Sequence, residues 1–138
     1  MISIRNDRWR AAIALLFLSL VSVVLLFGSG RLVRLLRAWP VRRLSQREDA
    51  VAAANEAALA VNRACRYYPL KTECLHRAAA SVCYLRWRGH AANLVIGVKT
   101  IPFAAHAWVE LDGVVVNDRA TVRDDFTVID VATSPGRN

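Results

Sequence analysis

The sequence predicts an α+β fold, in which a helix packs against a small antiparallel sheet. Helical stretches are predicted at 49–65 and 74–88, and strand-like runs follow at 93–98, 105–111, 114–118 and 126–130. The Asp112-Gly113 pair lies between two apolar, β-branched runs, which is a strong signal for a hairpin of antiparallel strands. At 138 residues the chain has room for one domain and an appendage.

The first element is an apolar stretch from Ala11 to Gly30, between Arg10 and Arg31. A helix of twenty residues spans about 30 Å, the thickness of the hydrocarbon core of a bilayer. Three arginines precede the stretch and six follow it before Asp49, which places the C-terminal part of the chain in the cytoplasm. We expect a membrane helix. A signal peptide fits less well because no Ala-x-Ala site follows, and a helix packed on the rest of the chain is the other alternative.

The next segment, 31–37, repeats arginine every three residues and places leucines on the other side. Such a basic amphipathic helix suits an anionic lipid surface or the protein's own core. Pro40 ends it, and a polar joint at 45–49 provides a domain boundary. We therefore predict an N-terminal region at 1–48, a folded domain at 49–132 and a loose tail at 133–138.

Charge and cysteine content exclude several classes of protein. The net charge is +8, but residues 1–48 hold nine arginines against two acidic residues, and the rest of the chain is nearly balanced. A nucleic-acid partner is not expected, since its basic patch would lie on the folded domain. Three cysteines argue against a disulfide scaffold. The sequence has no Cys-x-x-Cys, no His-x-x-x-His and no glycine-rich phosphate loop, so we expect neither a metal nor a nucleotide cofactor.

Three residues in the second half carry a possible catalytic site: Cys74, His106 and Asp118. A thiol, an imidazole and a carboxylate are the nucleophile, the base and the group that orients the base in cysteine enzymes. Cys74 is predicted in the first turn of a helix, after Thr72 as N-cap, where open N–H groups favour the thiolate. The alternatives are structural roles, as a small buried apolar residue for Cys74 and as a hydrogen-bonded histidine of a sheet for His106.

The hairpin register decides whether the base and its orienter can meet. A two-residue loop would place His106 opposite Arg119 and on the other face from Asp118. A three-residue loop pairs Glu110 with Val114 and places His106 directly across from Asp118. Because a shift of one residue exchanges the faces, the triad requires the three-residue loop, and this is the loop we predict.

These segments together resemble a known family. Cys74-Leu75, Gly97-Val98 and the string Pro102-Phe-Ala-Ala-His-Ala-Trp-Val-Glu110, with the run to Asp118, resemble the transglutaminase-like leader peptidases of lasso-peptide biosynthesis. The resemblance covers roughly 61–118, and more loosely 32–44. It implies a transglutaminase-like or papain-like core with Cys74, His106 and Asp118 as catalytic residues.

The resemblance also implies an activity and partners. Such peptidases remove the leader from a ribosomally made precursor peptide, and a separate ATP-dependent lasso cyclase then closes the macrolactam ring. Fused relatives carry an additional leader-binding domain, for which residues 1–48 are too few and too apolar. The resemblance therefore implies a separate leader-recognition protein as partner. The backbone N–H of Cys74 is one expected oxyanion donor. Tyr67 and Tyr68 could supply the second oxyanion donor, but we favour an ordinary packing role for both.

Two other functions use the same residues differently. A thioester can be resolved by an amine instead of water, which gives transglutaminase or acetyltransferase chemistry. The chain could also be a membrane-anchored binding module whose triad is coincidental.

The other thiols and a nearby histidine are expected to have structural positions. Cys83 lies about 180° around the helix from Cys74 and is expected in the core. Cys65 is expected to be a structural thiol, and His76 is expected to face solvent or a helix partner.

Overall fold

The computed structural model describes residues 4–39, 47–67, 74–111, 114–116 and 121–132. Helices precede a four-stranded antiparallel sheet of order β3-β2-β1-β4, which confirms the predicted α+β fold. The elements are α1 (Ile4–Leu25), α2 (Ser29–Ala38), α3 (Arg47–Tyr67), α4 (Cys74–Trp87), β1 (Asn93–Thr100), β2 (Phe103–Leu111), β3 (Val114–Val115), α5 (Val122–Asp125) and β4 (Thr127–Ala132). The short helix α5 has no counterpart among the predicted elements.

The N-terminal helices pack against the rest of the protein. Ala14, Leu18 and Val21 recur at helical spacing, are fully or almost fully buried, and share one apolar core with α3 and α4. In α2, Leu32 and Leu36 are buried in the same core, and the arginines face outward. Of the two surfaces that the amphipathic pattern of α2 fits, the protein's own core is the one in contact. The helices on both sides of the predicted boundary at residue 48 thus share a core, and the boundary itself stays a prediction.

The sheet has two differently covered faces. Ala107, Val109 and Leu111 of β2 alternate inward and pack against the helices in the main core. Trp108, on the opposite face, forms a second buried cluster with Val95 of β1 and Val122 of α5. The sheet therefore lies between the helical layer and a smaller cover made by α5 and the residues that follow it.

A buried arginine joins three distant parts of the chain. The Arg86 guanidinium donates to the carbonyl oxygens of Leu36 in α2, Ala92 before β1 and Ala132 in β4. Burial lowers the pKa of Arg86 to about 10, so the side chain stays charged at neutral pH. Each of these carbonyls lies at or near the end of an element, where helices and strands leave backbone acceptors unpaired. Arg86 thereby holds α2 against the helix–sheet layer.

Candidate functional site

Cys74 is the first residue of α4, which confirms the prediction that it lies in the first turn of a helix. The helix runs to Trp87, one residue short of the predicted end. The thiol is free and partly buried, and it packs against the edge of the main core. Thr72, the expected N-cap, lies outside the described residues. A cysteine at this point is next to the open N–H groups of the first helical turn, which can donate to a thiolate or an oxyanion.

His106 is the fourth residue of β2 and lies opposite Gly97 of β1. Its ring is partly exposed and contacts Phe126 and Trp108, with ring centroids 5.3 and 6.0 Å away. By strand alternation His106 shares the face of Trp108, whereas Ala107 packs toward the helices. The imidazole thus belongs to the face of the sheet that α5 covers.

The described contacts place the two candidate catalytic groups in different clusters of side chains. Cys74 packs on the helical side of the sheet, and the ring of His106 packs on the other. α4 ends where the chain turns into β1, so its first turn is directed toward the far end of that strand, where β2 begins. The thiol and the imidazole therefore lie toward the same end of the sheet.

The predicted three-residue hairpin loop is wrong. Leu111 pairs with Val114 and Glu110 with Val115, so two residues separate the strands. Val116 donates its N–H to the carbonyl of Val109 at 3.0 Å, which extends the same register. The burial of two side chains explains this register. Val116 packs against the main core and Val115 packs against the Trp108 cluster, and a shift of one residue would exchange their faces.

This register bears on Asp118. The pairing between β2 and β3 is described only as far as Val116. Regular alternation beyond Val116 would direct position 118 to the other face and position 117, an asparagine, to the face of His106. Asp118 and Asn117 both lie outside the described residues, so the placement of Asp118 stays a prediction.

Sequence reasoning missed a buried ionic cluster on the face of His106. Glu110 is 4 % exposed and accepts hydrogen bonds from the Trp108 indole at 2.8 Å and from two nitrogens of Arg123. Burial raises the pKa of Glu110, but the hydrogen bonds from Arg123 and Trp108 outweigh it, so the net pKa is lowered. A signal was present in the sequence: His106, Trp108 and Glu110 alternate along one strand and must share a face. Glu110 thereby holds the indole that packs on the imidazole.

The remaining candidates have structural positions. Cys83 is buried, as expected, and burial raises the pKa of its thiol to about 12. Cys65 and His76 are partly buried. Tyr67 is 74 % exposed, so the packing role expected of it is wrong, and Tyr68 lies outside the described residues. Within the described ranges no group of three His, Cys, Asp or Glu side chains could hold a metal ion.

Parts of this sequence are similar to known proteins. A model of the transglutaminase-like superfamily matches residues 15–131. The microcin J25-processing protein McjB of Escherichia coli is 46 % identical over 59 residues, which is 43 % of this chain and 28 % of the relative. The chain thus matches little more than a quarter of the relative's length. No solved structure matches significantly.

These findings confirm the resemblance found in the sequence. The superfamily match runs from within α1 to within β4 and includes Cys74, His106 and the strands of the sheet. Its extent over most of the chain, together with the observed helix and antiparallel sheet, shows that the chain belongs to the transglutaminase-like superfamily.

Proposed function

We propose that this protein is a cysteine peptidase that removes the leader from a lasso-peptide precursor. The observation that carries the proposal is the thiol at the first residue of α4 in a transglutaminase-like fold, in a chain related to a microcin-processing protein. Cys74 is the nucleophile, His106 the base and Asp118 the group that orients the imidazole.

The mechanism follows from the chemistry of these groups. The Cys74 sulfur attacks the carbonyl at the leader–core junction, and His106 accepts the thiol proton. The Cys74 backbone N–H, at the start of α4, donates to the oxyanion that develops on that carbonyl. His106 then protonates the leaving amine of the core, and water hydrolyses the thioester left on the leader. The products are a leader with a free carboxylate and a core with a free amine.

Catalysis requires the imidazole within hydrogen-bonding reach of the sulfur, about 3–4 Å. In the structure the ring of His106 packs on Trp108 and Phe126, on the face of the sheet opposite the cluster that contains Cys74. Formation of the Cys74–His106 pair when precursor and partners bind is therefore part of the proposal. Catalytic hydrogen bonds often tighten only in the complex with substrate.

The orienting role of Asp118 has a geometric condition. The register is described as far as Val116. If it continued regularly, position 118 would point away from the face of His106, so the orienting role requires one extra residue to bulge between Val116 and Asp118. Bulges of this kind re-aim side chains next to active sites. Without a bulge, Asn117 would take the position, as an asparagine does in papain-like peptidases.

The direct experiment is co-expression with a lasso precursor, a leader-recognition protein and the lasso cyclase, which are the proposed partners. Mass spectrometry should find a leader with a free carboxylate and a processed core in the wild type. Cys74→Ala should abolish both, while Cys83→Ala, which removes a thiol of the core, serves as the matched control. An amine-linked leader would instead show the acyl-transfer reaction, and unchanged processing by Cys74→Ala would contradict both.

A second candidate, a non-catalytic binding module, is favoured by one observation: the described contacts place Cys74 and His106 on opposite sides of the sheet. In that case the chain would present precursor or partner without cleaving, and Cys74→Ala would leave processing by the other proteins intact.

The outer side of α1 supports attachment to a membrane. Residues 8–25 are long and apolar enough to span one, with a mean hydropathy of 1.8. Cores of soluble proteins contain such helices too, and α1 packs on α3 and α4 through one side. The other side leaves Leu16, Leu20 and Val23 about half exposed, and the Arg31 guanidinium lies 5.9 Å from the exposed Phe27 ring.

An apolar stripe with arginine beside it suits an anionic bilayer surface on the cytoplasmic side. The protein should therefore sediment with vesicles that contain phosphatidylglycerol and less with phosphatidylcholine alone. Leu16→Ser/Leu20→Ser should lose this binding, whereas Ile129→Ser, an exposed position on β4, should keep it.

A further inference from the structure

A groove runs along an exposed face of α3, beside Arg10 of α1. Its volume is about 670 Å³, and Arg10 of α1 forms part of its wall. Asn55, Leu59, Asn62 and Arg66 line it from α3. These four positions follow the spacing of one helical face, so they form a continuous row about 17 Å long. An extended peptide of about five residues has this length.

The groove continues into a second cavity of about 370 Å³, which is lined by Asn62, Cys65, Arg66 and Arg77. Asn62 and Arg66 line both cavities, so the two form one path from α3 to α4.

The path leads toward the nucleophile. The Tyr84 hydroxyl donates to Glu56 at 2.9 Å, and farther along the two helices Arg77 and Cys65 meet at the second cavity. α3 and α4 are therefore antiparallel. Arg77 lies one turn after Cys74 on α4, and residues three apart share a helical face. The end of the groove at Arg77 is thus one helical turn along α4 from Cys74.

The charge changes along the groove. At its far end the Glu56 carboxylate is paired with Arg10 at 3.1 Å and with Arg88 at 3.2 Å. At the end near Cys74, the guanidinium groups of Arg66 and Arg77 are exposed, and none of the described residues that line the second cavity is acidic. This end favours a carboxylate.

We propose that this groove binds an extended, acidic segment of the peptide substrate and leads it to Cys74. Asn55 and Asn62 offer side-chain amides to the peptide backbone, Leu59 offers an apolar contact, and Arg66 and Arg77 bind a carboxylate beside the scissile bond. The inference rests on the proposed peptidase function for the identity of the substrate, but binding in the groove does not need catalysis.

The test uses the full chain with Cys74→Ala, so that binding is measured without cleavage. The probes are short fluorescein-labelled peptides in which glycine alternates with glutamate, glutamine or lysine. Fluorescence anisotropy at low salt should show about ten-fold tighter binding of the glutamate peptide than of the glutamine peptide. Added salt should reduce the difference.

Charge reversal locates the site. Arg66→Glu/Arg77→Glu should reverse the preference, so that the lysine peptide binds best. The control is Arg31→Glu/Arg34→Glu on α2, which changes the net charge equally at exposed positions and should keep the preference for glutamate. Equal binding of all three peptides would contradict the proposal that the groove binds an acidic segment. Equal loss of the preference for glutamate in both double variants would contradict it too. If the Arg66→Glu/Arg77→Glu variant cleaves the precursor with an unchanged KM, peptide binding in the groove is contradicted and the peptidase proposal stands. If the peptides bind charge-selectively but no precursor is cleaved, the peptidase proposal is contradicted and binding in the groove stands.

Discussion

The indole ring of Trp108 covers Gly97 so closely that a β-carbon on the glycine would lie 2.8 Å from Cη2 of the indole. The same β-carbon would lie 2.9 Å from Cβ of Phe126. Gly97 is also the residue opposite His106 in the β1–β2 pairing. A side chain at this position would therefore displace both aromatic rings that pack on the imidazole.

Gly97→Ala should lower the free energy of unfolding by about 1–3 kcal/mol, because a methyl group here overpacks a closed cluster. Urea denaturation measures the loss. Gly30→Ala is the control, since a β-carbon at that position would have no neighbouring atom within 4 Å and alanine favours the helix that contains it. An equal effect of the two substitutions would contradict this account of Gly97.

Glu110→Gln should cost about 2 kcal/mol of stability. The substitution removes a charge from a buried acceptor that binds Trp108 and Arg123. The half-exposed Arg123 side chain limits the loss through solvent screening. Asp124→Asn, an exposed change next to Arg123 on α5, should cost only a few tenths of a kcal/mol.

The contribution of Glu110 should depend on pH in a defined direction. Its pKa is lower in the folded protein than in the unfolded chain, so the stabilisation is complete above the unfolded value, about 4.5, and is lost as the pH falls through the folded value. The difference between wild type and Glu110→Gln in urea denaturation should stay constant near neutrality and shrink in acid. A difference that persists unchanged in acid would show that the charge is not the source.

Arg86→Met should lower the free energy of unfolding by about 3 kcal/mol or more. It removes the guanidinium donor from the carbonyls of Leu36, Ala92 and Ala132, of which Leu36 keeps the bond from the Trp39 N–H. Arg88→Met removes a partly exposed ion pair with Glu56 and a cation–π contact with the Trp87 ring, and it should cost about 1 kcal/mol. If Arg86→Met fails to fold, Arg86→Lys, which keeps the charge and part of the bonding, should give a folded protein of intermediate stability.

The residue that orients His106 can be identified by paired substitutions. With a bulge before Asp118, Asp118→Ala should reduce the rate of precursor cleavage by about 10²–10⁴-fold, and Asn117→Ala should have little effect. Continued alternation from Val116 reverses the two results. Wild-type rates in both variants would remove the third member of the triad.

Helix and strand positions could be predicted because they depend on local patterns. Cys74 lies in the first turn of α4 as expected, and the Asp112-Gly113 signal correctly predicted an antiparallel hairpin. The register was wrong by one residue because both loop lengths are common turn forms. The choice between them depends on which face buries Val115 and Val116, and local sequence does not show this.

Contacts between residues far apart in the sequence could not be predicted from it. The partner of Glu110 lies thirteen residues away on α5, a helix of only four residues that carries too little periodicity to predict. α1 is apolar on all sides, and such a pattern fits lipid and protein equally. Only the packing of Ala14, Leu18 and Val21 shows which side meets the core.

The central claim is that Cys74 is a nucleophile activated by His106, and site-resolved alkylation of the native protein tests it most directly. Iodoacetamide labelling at neutral pH, followed by peptide mass mapping, gives the rate at each of the three cysteines, with precursor and partners present. Cys83 is the internal control, because its thiol is buried and its pKa is raised to about 12. The account predicts that Cys74 reacts much faster than Cys65 and Cys83, and that His106→Ala slows Cys74 alone. Equal, slow labelling of all three, unchanged by His106→Ala, would contradict it.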